Sequence, residues 1–202
     1  LQVNELLQRN VDGIFLSISM KTYKYDHLKQ VQKQGIPIIL FDRIAKSVPS
    51  FRVIIDDQKA AFLATEHLIK QGCKNIAHFR GNLIPQMSID RFIGFKKALE
   101  HYKIPFHKEW CLVCEEDRFE KGFENAKKLL KIAPEVDGLF SMTDSTAIGA
   151  IHYFKKYGLK VTVYKEVKLK KLKMFSLLGV GQGSINESFL VTIEWYGNKK
   201  NK

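Results

Sequence analysis

The chain has 202 residues, 45% of them hydrophobic, enough to bury a core as one large domain or two small ones. No apolar run approaches the roughly 20 residues that a membrane-crossing helix needs. The net charge of +12 would suit a nucleic-acid partner. However, the lysines come as scattered pairs (Lys96 and Lys97, Lys127 and Lys128, Lys155 and Lys156) plus a dense run from Lys165 to Lys173, and solvated helix faces account for the pairs.

The first stretch, "LQVNELLQRN", starts in the middle of a helical pattern and has neither the basic n-region nor the apolar h-region of a signal peptide. A targeting or DNA-binding segment upstream of it is compatible with both observations. "LLQRNVDGIFLSIS" (6–19) then combines a leucine-rich helix end, a Val-Asp-Gly turn and a short β run. An amphipathic helix follows in "TYKYDHLKQVQKQG", and "IPIILF" and "VII" give two more strands. "DDQKAAFLATEHLIKQG" is the next helix, with Asp57 expected as its N-cap and Gly72 as the residue just past its end.

After the strand "NIAHFRG" comes the loop from Asn82 to Ser88, which contains Met87, and then the amphipathic "MSIDRFIGFKKALEHY". With Ser88 as N-cap, Arg91 falls at the third helical position. A cation there opposes the helix dipole by some 0.3 to 1 kcal/mol, which favours a side chain reaching back towards the strand end over a plain surface arginine. "WCLVCEED" is β-prone, so Cys111 and Cys114, three apart, point to opposite faces. No second ligand pair for zinc is visible, and the three cysteines read as reduced structural residues. In "DRFEKGFENAKKLL" the residues Phe119, Phe123, Ala126 and Leu130 make an apolar stripe expected to be core.

"LLKIAPEVDGLFSMTD" (129–144) repeats the plan of residues 6–19, and each copy is followed by an amphipathic helix, a glycine and another apolar run, "KQGIPIILFDR" and "KYGLKV". The expected fold class is therefore α/β, with two similar doubly wound parallel-sheet halves. Ligands of open parallel sheets bind beyond the carboxyl ends of the strands. The polar residues at those ends are Ser17 and Ser19, Asp42 and Arg43, Asp56 and Asp57, the 82–88 loop, and Thr143 and Asp144. If the halves face each other across a cleft, these carboxylates, hydroxyls and guanidiniums suit a polyhydroxylated ligand, since each can fix two hydroxyls at once.

Together "VDGIFLS", "GIPIILFDR", "IIDDQKAAFLATEHLIKQGCKNIAHFRG", "SIDRFIGFKKAL" and "VDGLFSMTDSTAIGAIHYFKKYGLKV" resemble the effector-binding core of the lactose-repressor (LacI/GalR) family of bacterial transcription regulators. The match runs from about residue 3 to 161. The resemblance implies a periplasmic-binding-protein-like fold of two subdomains, residues 1–72 (incomplete) and 73–161, followed by an atypical basic tail, 162–202. It also implies homodimerisation, a cytoplasmic location, a small effector such as a sugar, no cofactor or metal, and DNA binding through a helix-turn-helix domain outside this chain.

Under the resemblance, Arg91 matches the arginine that hydrogen-bonds effector hydroxyls, and Asp42 and Arg43 match a sugar-binding pair of the related periplasmic proteins. Thr143 and Asp144 match an Asn-Asp pair at the head of the "A-x-G-A" helix, with threonine replacing asparagine. Asp56 begins the "D-D-x-x-A-A" segment, and Ser17 and Met87 complete the expected ligand-binding set. Two departures stand out. The first strand and helix of the N-terminal subdomain should precede Leu1, and after Val161 the family's strand with its acidic contact is replaced by "TVYKEVKLKKLKMFSLLGVGQGS". "LVTIEWYG" (190–197) faintly resembles a later family segment, as in a truncated or frame-disrupted copy. A transcription regulator is the favoured function, and a periplasmic sugar-binding protein of a transport system is the alternative. An enzyme is disfavoured: there is no glycine-rich phosphate loop and no Ser/His/Asp set at elbow spacing, and "CEEDRFE" reads as a solvated loop and helix start.

Overall fold

A computed structural model describes residues 2–164 and 190–194 of the chain. The described residues divide into two units, one formed by those up to 56 and by 83–89, the other by 57–82 and those from 90 on.

The first unit carries α1 (Gln2–Gln8), β1 (Ile14–Leu16), α2 (Asp26–Lys33), β2 (Ile38–Phe41) and β3 (Phe51–Val53). The three strands are parallel in the order β1-β2-β3, with Ile14 opposite Ile38 and Phe41 opposite Val53. Because side chains alternate along a strand, one face presents Ile14, Leu16, Ile38 and Leu40. This face packs against Leu28 and Val31 of α2, with Val3 and Leu7 of α1 beside them. The other face presents Phe15, Ile39, Phe41, Phe51 and Val53, and there Phe15 is 71% and Phe51 74% exposed.

The second unit contains α3 (Asp57–Lys70), β4 (Ile76–Arg80), α4 (Gln86–His101), β5 (Cys111–Val113), α5 (Phe119–Ile132), β6 (Gly138–Ser141), α6 (Asp144–Lys156), β7 (Lys160–Tyr164) and β8 (Leu190–Glu194). α4 starts in the short segment assigned to the first unit and runs on into this one. The sheet order is β5-β4-β6-β8-β7. The strands β5, β4 and β6 are parallel, as the repeat predicts, while β8 lies antiparallel between β6 and β7. That antiparallel insertion departs from the purely parallel expectation. Residues 165–189 and 195–202, which hold most of the expected basic tail, lie outside the described residues.

Strand alternation builds three layers here. Ile76 and Phe140 join Ala61, Ala64 and Leu68 of α3 and Phe95 and Leu99 of α4. Their neighbours Ala77, Phe79 and Leu139 point the other way, into Ala126 and Leu129 of α5 and Ala150, Tyr153 and Phe154 of α6. The sequence groups α3 with the first half up to residue 72. In the structure it shares a core with α4 and β6, because glycines mark where a helix ends but not which sheet it covers.

Glycines let the helices of this unit approach closely. A methyl group at Gly122 would sit 2.0 Å from the Thr146 carbonyl oxygen, and one at Gly149 would sit 2.0 Å from that of Phe119, so α5 and α6 cross at backbone contact. One at Gly94 of α4 would lie 2.1 Å from the Gln58 carbonyl oxygen of α3. Gly72 takes the left-handed conformation expected past α3 (φ 97°), with its N–H donating to Ile69 O and that of Cys73 to Leu68 O. The Val-Asp-Gly turn before β6 is held by Asp137, whose carboxylate accepts from the N–H groups of Lys74 and Asn75.

Candidate ligand-binding site

Three expected site residues meet at the carboxyl ends of β1 and β2. The Ser17 hydroxyl donates to Asp42 Oδ2 at 3.5 Å, and Arg43 Nε donates to Ser17 Oγ at 3.3 Å and lies 3.7 Å from Asp42 Oδ2. Asp42 holds the left-handed region (φ 57°), which an aspartate tolerates better than most residues. Its N–H donates to Val53 O, tying the turn to β3. Donors and acceptors therefore stand side by side and partly exposed, an arrangement suited to vicinal hydroxyls.

Arg91 belongs to a second set, wholly inside the second unit. It is buried, with 4% of its surface exposed, so the surface-arginine alternative falls. Its Nε donates to Asp57 Oδ1 at 2.7 Å and its Nη1 to the Met142 carbonyl oxygen at 2.8 Å. Arg91 does not lie in the first turn of α4, contrary to the expectation from Ser88 as N-cap. α4 begins at Gln86, Ser88 is its third residue, and the Ile89 N–H donates to Pro85 O, so Arg91 is the sixth residue and past the turn where the dipole acts. Asp57 is likewise the first residue of α3 rather than the residue before it.

Thr143 has extended backbone just ahead of α6, and its hydroxyl is turned into the protein. Its Oγ1 lies 2.8 Å from Thr146 Oγ1, which is in turn 2.7 Å from Ser141 Oγ. This buried hydroxyl knot organises the start of α6 and the residues flanking Met142, whose carbonyl holds Arg91. Asp144 opens α6 and is half-buried. Asp56 lies exposed immediately before α3, and Met87 is buried in the first turn of α4 rather than in a loop.

The sequence names Asp57 among the strand-end carboxylates but not as the partner of Arg91, and it singles out neither the Met142 carbonyl nor Ser141 and Thr146. A signal for Asp57 exists. Arg91 shares its helical stripe with Met87, Phe95 and Ala98, all buried, and a cation on an apolar stripe needs a carboxylate from another element.

A cavity of about 410 Å³ lies elsewhere, lined by Gln32, Pro37, Pro49, Ser50 and Phe51 at the amino ends of β2 and β3. It is at the wrong end of the strands and poor in charged groups, so it is not the candidate site. Cys111 is half-buried and Cys114 buried, and burial pushes their thiols up to about 12 and about 11, far from reactive thiolates.

The model of a family described as periplasmic binding proteins and the sugar binding domain of the LacI family matches residues 1–196. The chain is 31% identical over 163 residues to an HTH-type transcriptional repressor PurR of Actinobacillus pleuropneumoniae, covering 80% of this chain and 47% of that protein. It is 32% identical over 158 residues to the HTH-type transcriptional regulator MalR of Streptococcus pneumoniae, covering 77% and 46%. The structure of a LacI family transcriptional regulator from Enterococcus faecium with bound ribose superposes with a TM-score of 0.64 at 27% identity, over 77% of this chain and 57% of that one. The chain thus spans about half the length of the curated relatives it matches.

Proposed function

Because the chain belongs to the family of periplasmic binding proteins and LacI-type sugar-binding domains, we propose that it is the ligand-sensing part of a bacterial transcription regulator, with a small neutral sugar or similar hydroxylated metabolite as its effector. The observation that carries this is the Ser17, Asp42 and Arg43 set at the carboxyl ends of β1 and β2. Within the second unit, Arg91, anchored on Asp57 and the Met142 carbonyl, is a further candidate donor for ligand hydroxyls. The relatives are named as helix-turn-helix regulators, and a ribose-bound structure is among the neighbours, which favours regulation over transport.

In this reading the protein acts by binding rather than turnover, in the cytoplasm, as a homodimer, and it reaches DNA through a helix-turn-helix domain outside this chain. No helix among the described residues is long and apolar enough to cross a membrane.

The test is a thermal-shift and calorimetric panel of pentoses, hexoses, disaccharides and purine bases. One neutral compound should bind, and Asp42→Ala should weaken it about tenfold to a hundredfold, the loss of one charge-assisted hydrogen bond. A folded protein that binds none of them, or that converts a bound sugar into product, overturns the proposal.

A further inference from the structure

The Asp57–Arg91 pair points to a property beyond sugar binding. We infer that Asp57 is a specificity-determining residue that makes the Arg91 subsite accept uncharged hydroxyl groups and refuse phosphate and carboxylate groups. This deepens the proposed function and rests on the ligand role given there to Arg91.

A guanidinium has five N–H donors. Asp57 Oδ1 takes the Nε donor at 2.7 Å and the Met142 carbonyl takes one Nη1 donor at 2.8 Å. The Arg91 and Asp57 side chains are only 5% and 11% exposed, so water screens their attraction little. These bonds engage Nε and one Nη1 donor, and the opposite edge of the guanidinium carries the rest.

An incoming group at that edge therefore meets hydrogen-bond donors without net positive charge. A hydroxyl needs only the donors. A phosphate needs the charge as well, and its own charge is opposed by the Asp57 carboxylate on the far side of the same guanidinium. An unpaired arginine does the opposite, binding oxyanions by a bidentate fork. The carboxylate thus converts an anion-binding side chain into a neutral donor plate.

The test uses inorganic phosphate and sulfate as probes, titrated into the whole chain by calorimetry. The wild type should show no binding up to about 10 mM, and Asp57→Asn, which keeps an oxygen acceptor for Nε but removes the charge, should bind phosphate at least about tenfold more tightly. Asp57→Glu should restore refusal, and the double variant Asp57→Asn, Arg91→Met should lose the gained binding. A purely structural ion pair would produce no such gain.

Phosphate binding by the wild type that disappears in Arg91→Met overturns the inference, as does a folded Asp57→Asn that stays indifferent to phosphate. Asp57→Ser replaces the asparagine variant if circular dichroism shows that one unfolded. In the wild type, the effector must also bind at least about tenfold more tightly than its phosphate ester, and equal binding sinks the idea without any variant. The inorganic probes need no sugar, so failure of the sugar panel and failure of this inference are read separately.

Discussion

The two parallel sheets of this protein are built from the same kind of strand and end in different surroundings. In the second unit, β4 and β6 send Ile76 and Phe140 into α3 and α4 and send Phe79 and Leu139 into α5 and α6, so every apolar side chain finds a layer. In the first unit, α1 and α2 cover one face, while Phe15 and Phe51 on the other stand 71% and 74% exposed. Parallel strands are apolar on both sides because they are normally clad on both sides. Strand composition thus reports how a sheet is meant to be covered. The described helices decide how far that is achieved.

Removing one ring from each sheet should have very different effects. Phe79→Ala, at a fully buried position, should cost about 3 to 5 kcal/mol. Urea unfolding followed by circular dichroism reads this directly. A loss below about 1 kcal/mol would mean that the two-sided packing of β4 is not what holds the second unit together.

Next in size is the pH response of His78, buried on β4 between Phe92, Phe95 and Phe140 with Nδ1–H donating to Phe140 O. Burial pushes its pKa down from 6.5 to about 3, so the ring is neutral in the folded state. Between pH 6.5 and about 3 the unfolded chain binds the extra proton. Its contribution is complete above pH 6.5 and shrinks as the pH falls through that window, by up to about 1.4 kcal/mol per pH unit. His78→Leu should flatten that component when unfolding midpoints at pH 7 and pH 5 are compared. Parallel losses in both proteins would remove His78 as the cause.

Thr146→Val keeps the side chain's shape but removes the hydroxyl shared by Ser141 and Thr143, and should cost about 1 to 3 kcal/mol. Hydrogen exchange should locate the loosening at the start of α6. Uniform loosening across the second unit would show that the knot has no local role.

Smallest of all is Phe51→Thr on the open face, expected to change stability by about 0.5 kcal/mol or less while reducing self-association in sedimentation runs. A loss like that of Phe79→Ala would show that this face is covered after all.

Much of this architecture was legible in the chain. The apolar runs around Ile14, Ile38, Ile76 and Leu139 lie between glycine turns, and period-two alternation does the rest. The antiparallel place of β8 was not legible, because it depends on a pairing between residues around 139 and 191, which no local pattern encodes. The start of α4 was read late because Ser88 looks like a cap, whereas the first helical hydrogen bond goes to Pro85. The grouping of Ser17, Asp42 and Arg43 could be read from their places after β1 and β2. The partnership of Arg91 with Asp57 crosses 34 positions and two helices, so the sequence showed an arginine in want of a reason and not the carboxylate that supplies it.

Gly94 sits three residues beyond Arg91, where its missing methyl group lets α4 rest against the Gln58 carbonyl in the first turn of α3. Gln58 follows Asp57, so this crossing also sets how near the carboxylate stands to the guanidinium. A side chain at position 94 would lever the two helices apart at that turn and lengthen the 2.7 Å contact on which the neutral plate depends. Under the proposed role of Asp57, substitution at position 94 shifts ligand preference through helix spacing alone. The determinants of what such a pair of side chains accepts therefore include the glycines at the helix crossings.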